Sequence, residues 1–325
     1  MSQAIPSKIL STGAKLPVVG LGTWLATDGA VGPAVKEALR AGYRHIDCAS
    51  NYFNEHEVGQ ALAESIQEGV VKREDVFITS KLNNPYHRRE HVRPHLLKTL
   101  KDLGVDSLDL WLMHWPIAFK HVPFDVDKTG EDAYLPGNPD DSGDGANIDR
   151  GVSIRETWEA MEACYDEGLV KAIGVANFNF GLLYDILSYA RVKPAVNQVE
   201  SHPYLQQNGL LSWQEKEGIV FEGYSPLGSG GFVEDSEPRV LDDPVLKRIG
   251  DKHGRSPAAV CIRWAVQRGT VTLPKSVTPS RIVENLASVH EWELDEVDMD
   301  DIRALDRNYH YLRPIDWYGV PLFTP

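Results

Sequence analysis

Asp47, Tyr52, Lys81 and His114 set an acid, a phenol, an amine and an imidazole where short apolar runs stop. "YRHID" ends on Asp47, "VFITSK" on Lys81 and "LDLWLMH" on His114, and Tyr52 follows the first of these ends by five residues. Taken singly, each has an ordinary role: a helix cap, a solvated strand end, a satisfied core histidine. Three successive runs ending on a carboxylate, an ammonium and an imidazole do not reduce to those roles. A tyrosine phenol has a pKa of about 10, too high for an efficient proton donor near neutrality unless positive charge stabilises the phenolate. Lys81 can supply that charge, and Asp47 can keep the lysine protonated against desolvation. His114 can hydrogen-bond a carbonyl and orient it beside the phenol. Such a set protonates an oxygen while something else attacks the carbon. No Ser or Cys sits in an elbow motif, and neither HExxH nor a paired-His pattern offers a metal, so a hydride donor is the expected partner. His87, His91 and His95 recur every fourth residue, but "YHRREHVRPH" is crowded with Arg and holds no carboxylate except Glu90. It reads as a solvated helix start, not a metal site.

The elements that must position these side chains alternate along the chain. After a hairpin, "KILSTGAKLPVVG" with Gly13 in its turn, eight strand-like runs follow: "VVGLG", "YRHID", "VFITSK", "LDLWLMH", "VKAIGVA", "AVNQVE", "IVFEGYS" and "TVTLPKS". Amphipathic segments accompany them at 33–41, 55–67, 90–102, 154–167, 179–189, 207–217, 257–268 and 279–287. Eight such units without a linker between halves predict one (β/α)8 TIM barrel over residues 1–325, an α/β fold, with a doubly wound sheet as the alternative. In a barrel of parallel strands the C-terminal ends open onto one face, so the four residues converge there. The stretch 119–151 is rich in Gly, Pro and Asp and lacks periodicity, which predicts a functional loop over that face.

Composition excludes several classes. The 325 residues carry a formal charge of −14 without a dense Lys/Arg run, so no nucleic-acid partner is expected. The three cysteines, Cys48, Cys164 and Cys261, form no CxxC pair and suit a reducing compartment. No segment reaches the roughly 18 apolar residues of a membrane span, and "MSQAIPSKILSTG" has no basic region leading into an apolar one. An unprocessed cytoplasmic protein, monomer or homodimer, is the expectation.

A nicotinamide nucleotide needs a phosphate site, and GxGxxG is absent. "GLGTW" at 20–24 and "GSGG" at 228–231 are too short and wrongly placed for that fingerprint. "LPKSVTPSRIVEN" instead sets Lys275 at a strand end and Arg281 in the first turn of a helix, with Ser276 and Thr278 between. Two cations and two hydroxyls around a helix start suit a 2′-phosphate, which points to NADPH/NADP+ over NADH.

Together, "GLGTW", "GYRHIDCASNYFNEHEVGQAL", "REDVFITSKL", "LDLWLMHWP", "GLVKAIGVANF", "KPAVNQVESHPYLQQ", "GYSPLGSG" and "PKSVTPSRIVEN" resemble the aldo-keto reductase superfamily in order and spacing over essentially the whole chain. The resemblance implies a catalytic tetrad of Asp47, Tyr52, Lys81 and His114, with Tyr52 the general acid in reduction and the base in alcohol oxidation. It implies cofactor contacts from Thr23, Trp24 and Asp47; from Asn177 and Gln198 to the carboxamide; and from Tyr224 stacked on the ring. Ser225, Leu227 and Ser229 match the loop over the pyrophosphate. Lys275, Ser276, Val277, Thr278 and Arg281 match the 2′-phosphate site, and Glu284 and Asn285 the adenine contacts. NADH is implied as a weaker second cofactor. One departure is Ala176 in "GVANF", where the family usually has serine; a lost carboxamide hydrogen bond is worth on the order of 1 kcal/mol. The acidic residue that closes over the phosphate-site lysine in some relatives has no match, and Glu234 or Asp235 is the expected substitute.

Within the superfamily, "HWPIAFKHVPF", "HPYLQQ", "DKHGRSPAAV" and "DWYGVPLF" are similar to xylose reductases, and "QALAESIQEGVVKRED" and "LDDPVLK" to plant mannose-6-phosphate reductases. Phe53 stands where the plant enzymes carry a lysine, which implies a neutral aldose or aldehyde over a sugar phosphate. Leu312 falls where xylose reductases place an asparagine, which departs from pentose selectivity. Trp24, Phe53, His114, Trp115, Phe119 and Trp317 are expected around a small carbonyl substrate. The expected reaction is NADPH-dependent reduction of an aldehyde or aldose to the alcohol. The alternatives are a sugar-phosphate reductase and a non-catalytic NADP-binding regulatory protein.

Overall fold

The computed structural model describes residues 5–26, 29–124, 148–229, 233–234, 236–290 and 292–323, with the side chains of Trp317 and Tyr318 outside that description. Two short strands, β1 (Ser7–Ile9) and β2 (Lys15–Pro17), pair antiparallel. Gly13 turns the chain between them at φ +84°, a conformation that costs glycine little and other residues more. Eight parallel strands follow in sequence order: β3 (Leu21–Gly22), β4 (His45–Asp47), β5 (Phe77–Leu82), β6 (Leu110–Met113), β7 (Ile173–Ala176), β8 (Val196–Glu200), β9 (Val220–Tyr224) and β10 (Val271–Leu273). The two edges meet, since Val19 bridges Thr272 in parallel and the Gly20 N–H donates to Thr272 O at 3.0 Å. The sheet is a closed (β/α)8 barrel.

Helices α1 (Val31–Ala41), α2 (Glu55–Gln67), α3 (Arg89–Leu103), α4 (Ile154–Asp166), α5 (Phe180–Leu187) and α6 (Asn208–Glu217) each follow a strand. Two helices, α7 (Pro244–His253) and α8 (Pro257–Gln267), lie between β9 and β10, and α9 (Pro279–Ala287), α10 (Glu296–Arg303) and α11 (Pro314–Tyr318) complete the chain. Local chemistry sets their ends: Ser153, Asn179 and Ser256 cap α4, α5 and α8 with side-chain oxygens. Among the described residues no helix is long and apolar enough to cross a membrane.

Alternate strand residues face the barrel axis, and the register ranks them by height. Phe77, Leu110, Leu112, Val196 and Val271 form an apolar cluster that Leu10 and Leu16 of the hairpin join, so the hairpin plugs one end of the barrel. Burying each such side chain stabilises the fold by roughly 1.5–3 kcal/mol. Toward the other end the inward residues become polar. The register sets Asp47 opposite Thr79, Lys81 opposite Leu112, and Gln198 between Ala176 and Glu222.

Candidate active site

At the C-terminal mouth, Lys81 Nζ donates to both Asp47 oxygens at 2.8 Å, to Cys48 O at 2.8 Å and to the Tyr52 hydroxyl at 3.3 Å. The ammonium is fully buried and lies 5.0 Å from the Tyr52 ring centroid. Tyr52 sits on a single 3₁₀ turn, Ser50–Tyr52, that leaves β4. Asn54 ties that turn to the first loop by donating to Thr23 O and Ala26 O, while Thr23 Oγ1 donates to Asp47 O at 2.8 Å. His114 follows β6, its N–H donating to Leu82 O at 3.2 Å, and its ring meets the Tyr52 ring edge-on at 5.9 Å. The three strand-end residues and Tyr52 therefore meet at one point.

The electrostatics divide the roles. Burial alone would strip Lys81 of its proton, but the charges of Asp47 and Tyr52 reverse that and hold the ammonium above its usual range. Burial pushes the Tyr52 phenol up to about 12, with Lys81 opposing and Asp47 adding to the rise. Lys81 thus pulls in the expected direction, but desolvation outweighs it in the closed chain. His114 is held well below the usual imidazole range by burial and by the Lys81 charge, so the ring is neutral. Its Nδ1 is sealed in protein without a partner.

Beside the tetrad, Asn177 Nδ2 donates to His114 O and Asn177 Oδ1 accepts from the Tyr224 hydroxyl, both at 2.8 Å. Gln198 Nε2 donates to Asp47 Oδ1 at 2.8 Å and to Glu222 Oε2 at 2.7 Å. The Asp47 carboxylate fixes which way this amide points, since its oxygen facing that anion would be repelled. Ala176, fully buried at the end of β7, has no side-chain group to bond. Of the seven described non-glycine residues with positive φ, Leu25, Phe53, Asn177, Ser225 and Ser229 lie in loops at this mouth, so backbone strain is concentrated at the site. Ser229 Oγ donates to Ser225 Oγ at 2.7 Å. Between them Gly228, at φ +78°, lies where a Cβ would stand 2.6 Å from a Val240 methyl, so only glycine lets the loop close. Trp24 packs against a cluster built on Leu246, Val260, Ile302 and Leu305, and Leu227 lies between that cluster and the main core.

The residues expected to take a 2′-phosphate are placed differently. Lys275 is exposed, its Nζ donating to Leu25 O at 3.1 Å, and Ser276 Oγ accepts from the Thr278 N–H at 3.1 Å. Thr278 precedes α9 without capping it, Val277 is exposed, and Arg281 is exposed with no hydrogen-bond or ion-pair partner among the described residues. Glu284 Oε1 accepts from Ser256 Oγ at 2.5 Å, and Asn285 is buried. Glu234 is exposed, its N–H bonded to Glu237, and Asp235 lies outside the described residues.

Of the aromatic residues expected around a substrate, Phe53 is 39% exposed, whereas Trp115 and Phe119 are buried, Phe119 in a bridge with Ile148. The side chain of Trp317 and residues 125–147 of the long loop lie outside the description. Phe323 supplies an aromatic ring that the motifs did not indicate, 6.3 Å from Trp115 and stacked on His310 at 4.6 Å. Two carboxylates were also missed. Glu200 is fully buried and accepts from the Tyr311 N–H at 2.9 Å and from His202 Nε2 at 2.9 Å, tying the C-terminal segment to β8. Glu222 lies beneath the tetrad. Both sit on the parity of an inward residue, Gln198 and Tyr224 respectively, which is the signal that reveals them.

His95 Nε2 is bonded to Ser50 Oγ at 2.8 Å and His91 stacks on His121 at 3.7 Å, while His87 is buried. Among the described residues no group of three or more His, Cys, Asp or Glu is placed to hold a metal ion.

A family model described as "Aldo/keto reductase family" matches residues 18–307. The chain is 46% identical over 318 residues to aldo-keto reductase family 1 member A1 of Gallus gallus, covering 97% of this chain and 93% of the relative. It is 47% identical over 309 residues to aldose reductase B of Dictyostelium discoideum, covering 95% and 94%. To NAD(P)H-dependent D-xylose reductase I,II of Candida tropicalis it is 43% identical over 327 residues, covering 98% of each.

Proposed function

The chain belongs to the aldo/keto reductase family, and from that premise we propose that it reduces the carbonyl of an aldehyde or neutral aldose to the alcohol, with NADPH as reductant and NADH as a weaker second. The observation that carries this reading is the buried Asp47–Lys81–Tyr52 chain with the neutral His114 ring beside the phenol. A reduced nicotinamide, when bound, supplies the hydride. The residues present fit such a group. With both amide hydrogens of Gln198 committed to carboxylates, its Oε1 is left to accept from a carboxamide, and Asn177 keeps one Nδ2 hydrogen to donate. The Asn177 bond to the Tyr224 hydroxyl holds that ring for stacking. Ser225, Leu227 and Ser229 would cover the pyrophosphate. Lys275, Ser276, Val277, Thr278 and Arg281 would take the 2′-phosphate, and Glu284 and Asn285 the adenine, with Thr23 and Trp24 lining the first loop.

Tyr52 donates its proton to the carbonyl oxygen, Lys81 stabilises the phenolate left behind, and His114 Nε2 hydrogen-bonds the same oxygen to fix its direction. A positioned acid of this kind contributes about 10²–10⁴-fold. Phe53, an exposed apolar side chain next to the phenol, suits an uncharged sugar or aldehyde better than a sugar phosphate. The three cysteines are buried and unpaired, which suits work in the cytoplasm. The test is loss of NADPH absorbance with DL-glyceraldehyde, xylose and mannose 6-phosphate. Turnover of the first two above the third is expected. Tight NADPH binding with no turnover of any aldehyde would replace this reading with a non-catalytic NADP-binding protein.

A further inference from the structure

A second carboxylate stands inside the barrel, one layer below Asp47. Glu222 is fully buried in the middle of β9, in register with Gln198, and both lie on the strand parity that points to the axis. Gln198 Nε2 bridges it to Asp47, at 2.7 Å from Glu222 Oε2 and 2.8 Å from Asp47 Oδ1. The other oxygen, Oε1, has no hydrogen-bond partner and lies 3.8 Å from His45 Nε2, which is itself bonded to Thr79 Oγ1 at 3.0 Å. Two acids therefore share one amide in a water-excluded space; the Lys81 ammonium is bonded to Asp47 and acts on Glu222 only through its charge. We propose that Glu222 is a positioning residue for the tetrad: through the shared amide it fixes Asp47 and Gln198, and as a second negative charge beneath Lys81 it keeps the Tyr52 phenol protonated to higher pH. The idea rests on the reductase reading above, which assigns Tyr52 the proton.

The groups facing Glu222 are His45 and Asp47 on β4 and Lys81 on β5, with uncharged Gln198 and Val271 in register on β8 and β10. Tyr52 is faced by Lys81, Asp47, Cys48 and the His114 edge. Burial, and then the Asp47 charge, push the Glu222 carboxyl above its usual range, while burial pushes His45 down to about 4, leaving that ring neutral. Near neutrality the interior then holds one anion and one cation. As pH rises and Glu222 ionises, the added negative charge binds the Lys81 proton harder and disfavours the phenolate. The phenolate midpoint, already raised by burial against the pull of Lys81, is thereby carried higher still.

The direct test labels tyrosine at the ring carbon bearing the hydroxyl and follows the Tyr52 resonance with pH in wild type and Glu222→Gln, the signal being assigned by its loss in Tyr52→Phe. Glutamine keeps an acceptor for Gln198 but removes the charge. The midpoint for phenolate formation is expected to fall by at least about half a unit; coincident midpoints would overturn the idea. In turnover, the basic limb of kcat/KM for reduction and the acidic limb for alcohol oxidation should both move to lower pH. A merely structural role would lower both plateaus and leave the limbs in place. Glu222→Met, which also removes the acceptor, should show the same displacement with several-fold weaker NADPH binding. A displaced resonance in a chain that reduces no carbonyl would sink the reductase reading alone, and normal turnover with an undisplaced resonance would sink the Glu222 role alone.

Discussion

The Lys81 ammonium and the Arg281 guanidinium stand at the same mouth of one barrel, yet one is sealed and the other open. Lys81 is fully buried with its hydrogens spent on Asp47, Cys48 O and Tyr52, whereas Arg281 is exposed with no partner among the described residues. A sealed charge must be matched by fixed partners, because desolvation would otherwise cost several kcal/mol. Those same partners hold it ready for a proton transfer without rearrangement. An open charge keeps its water and side-chain freedom until a ligand arrives, so its contribution is to binding and is screened by salt. On the proposed function, position in the fold separates chemistry from capture.

The sharpest way to break this contrast is to remove the sealed cation. Lys81→Met leaves Asp47 buried and unpaired, so turnover should fall by at least about 10³-fold, with stability lower by roughly 3–5 kcal/mol in denaturant unfolding. Removing the open cation should leave stability and kcat alone. Arg281→Ala, alone or with Lys275→Ala, should weaken NADPH binding by about 10–100-fold in a fluorescence titration, with little change for NADH. A matching loss of kcat would merge the two regions into one.

Glu200 offers a control, as a sealed charge outside the tetrad. Burial works against its ionisation, but the His202 hydrogen bond and the His310 ring, 3.3 Å away, win and bring it down to about 2. The folded value lies below the unfolded one, so its stabilisation is full above pH 4.5 and is lost as pH falls toward 2. Glu200→Gln should lower stability by about 1–2 kcal/mol at neutral pH and flatten the loss in that acid window, read by thermal melts across pH. The smallest effect belongs to Ala176→Ser. Restoring a hydroxyl beside Gln198 should tighten nicotinamide binding several-fold, about 1 kcal/mol, with kcat unchanged.

Much of this was legible in the sequence, and the parts that were not share a physical cause. All eight barrel strands announce themselves as apolar runs, and the tetrad is visible because three runs end on ionisable residues. Helix α7 carries every local cue, Asp243 as N-cap, Pro244 at its first position and Gly254 after it, but strand–helix alternation leaves no slot for a second helix before β10. Glu200 and Glu222 are hidden more deeply. A charged residue within a strand reads as solvent-facing, and only closure of the sheet turns that face into a dry interior. Parity would have found them: if Tyr224 must face a cofactor, Glu222 two residues earlier must face the axis. The docking of Phe323 near Trp115 depends on contacts made by the last residues across the whole chain, which no local pattern encodes.

The most direct measurement compares wild type with Tyr52→Phe in one preparation, reading NADPH binding by fluorescence and glyceraldehyde reduction by absorbance. A sealed proton donor distinct from the open binding arm predicts unchanged NADPH affinity with turnover reduced by at least about 10²-fold. Turnover retained within a few-fold at unchanged affinity would contradict the assignment of the proton to Tyr52.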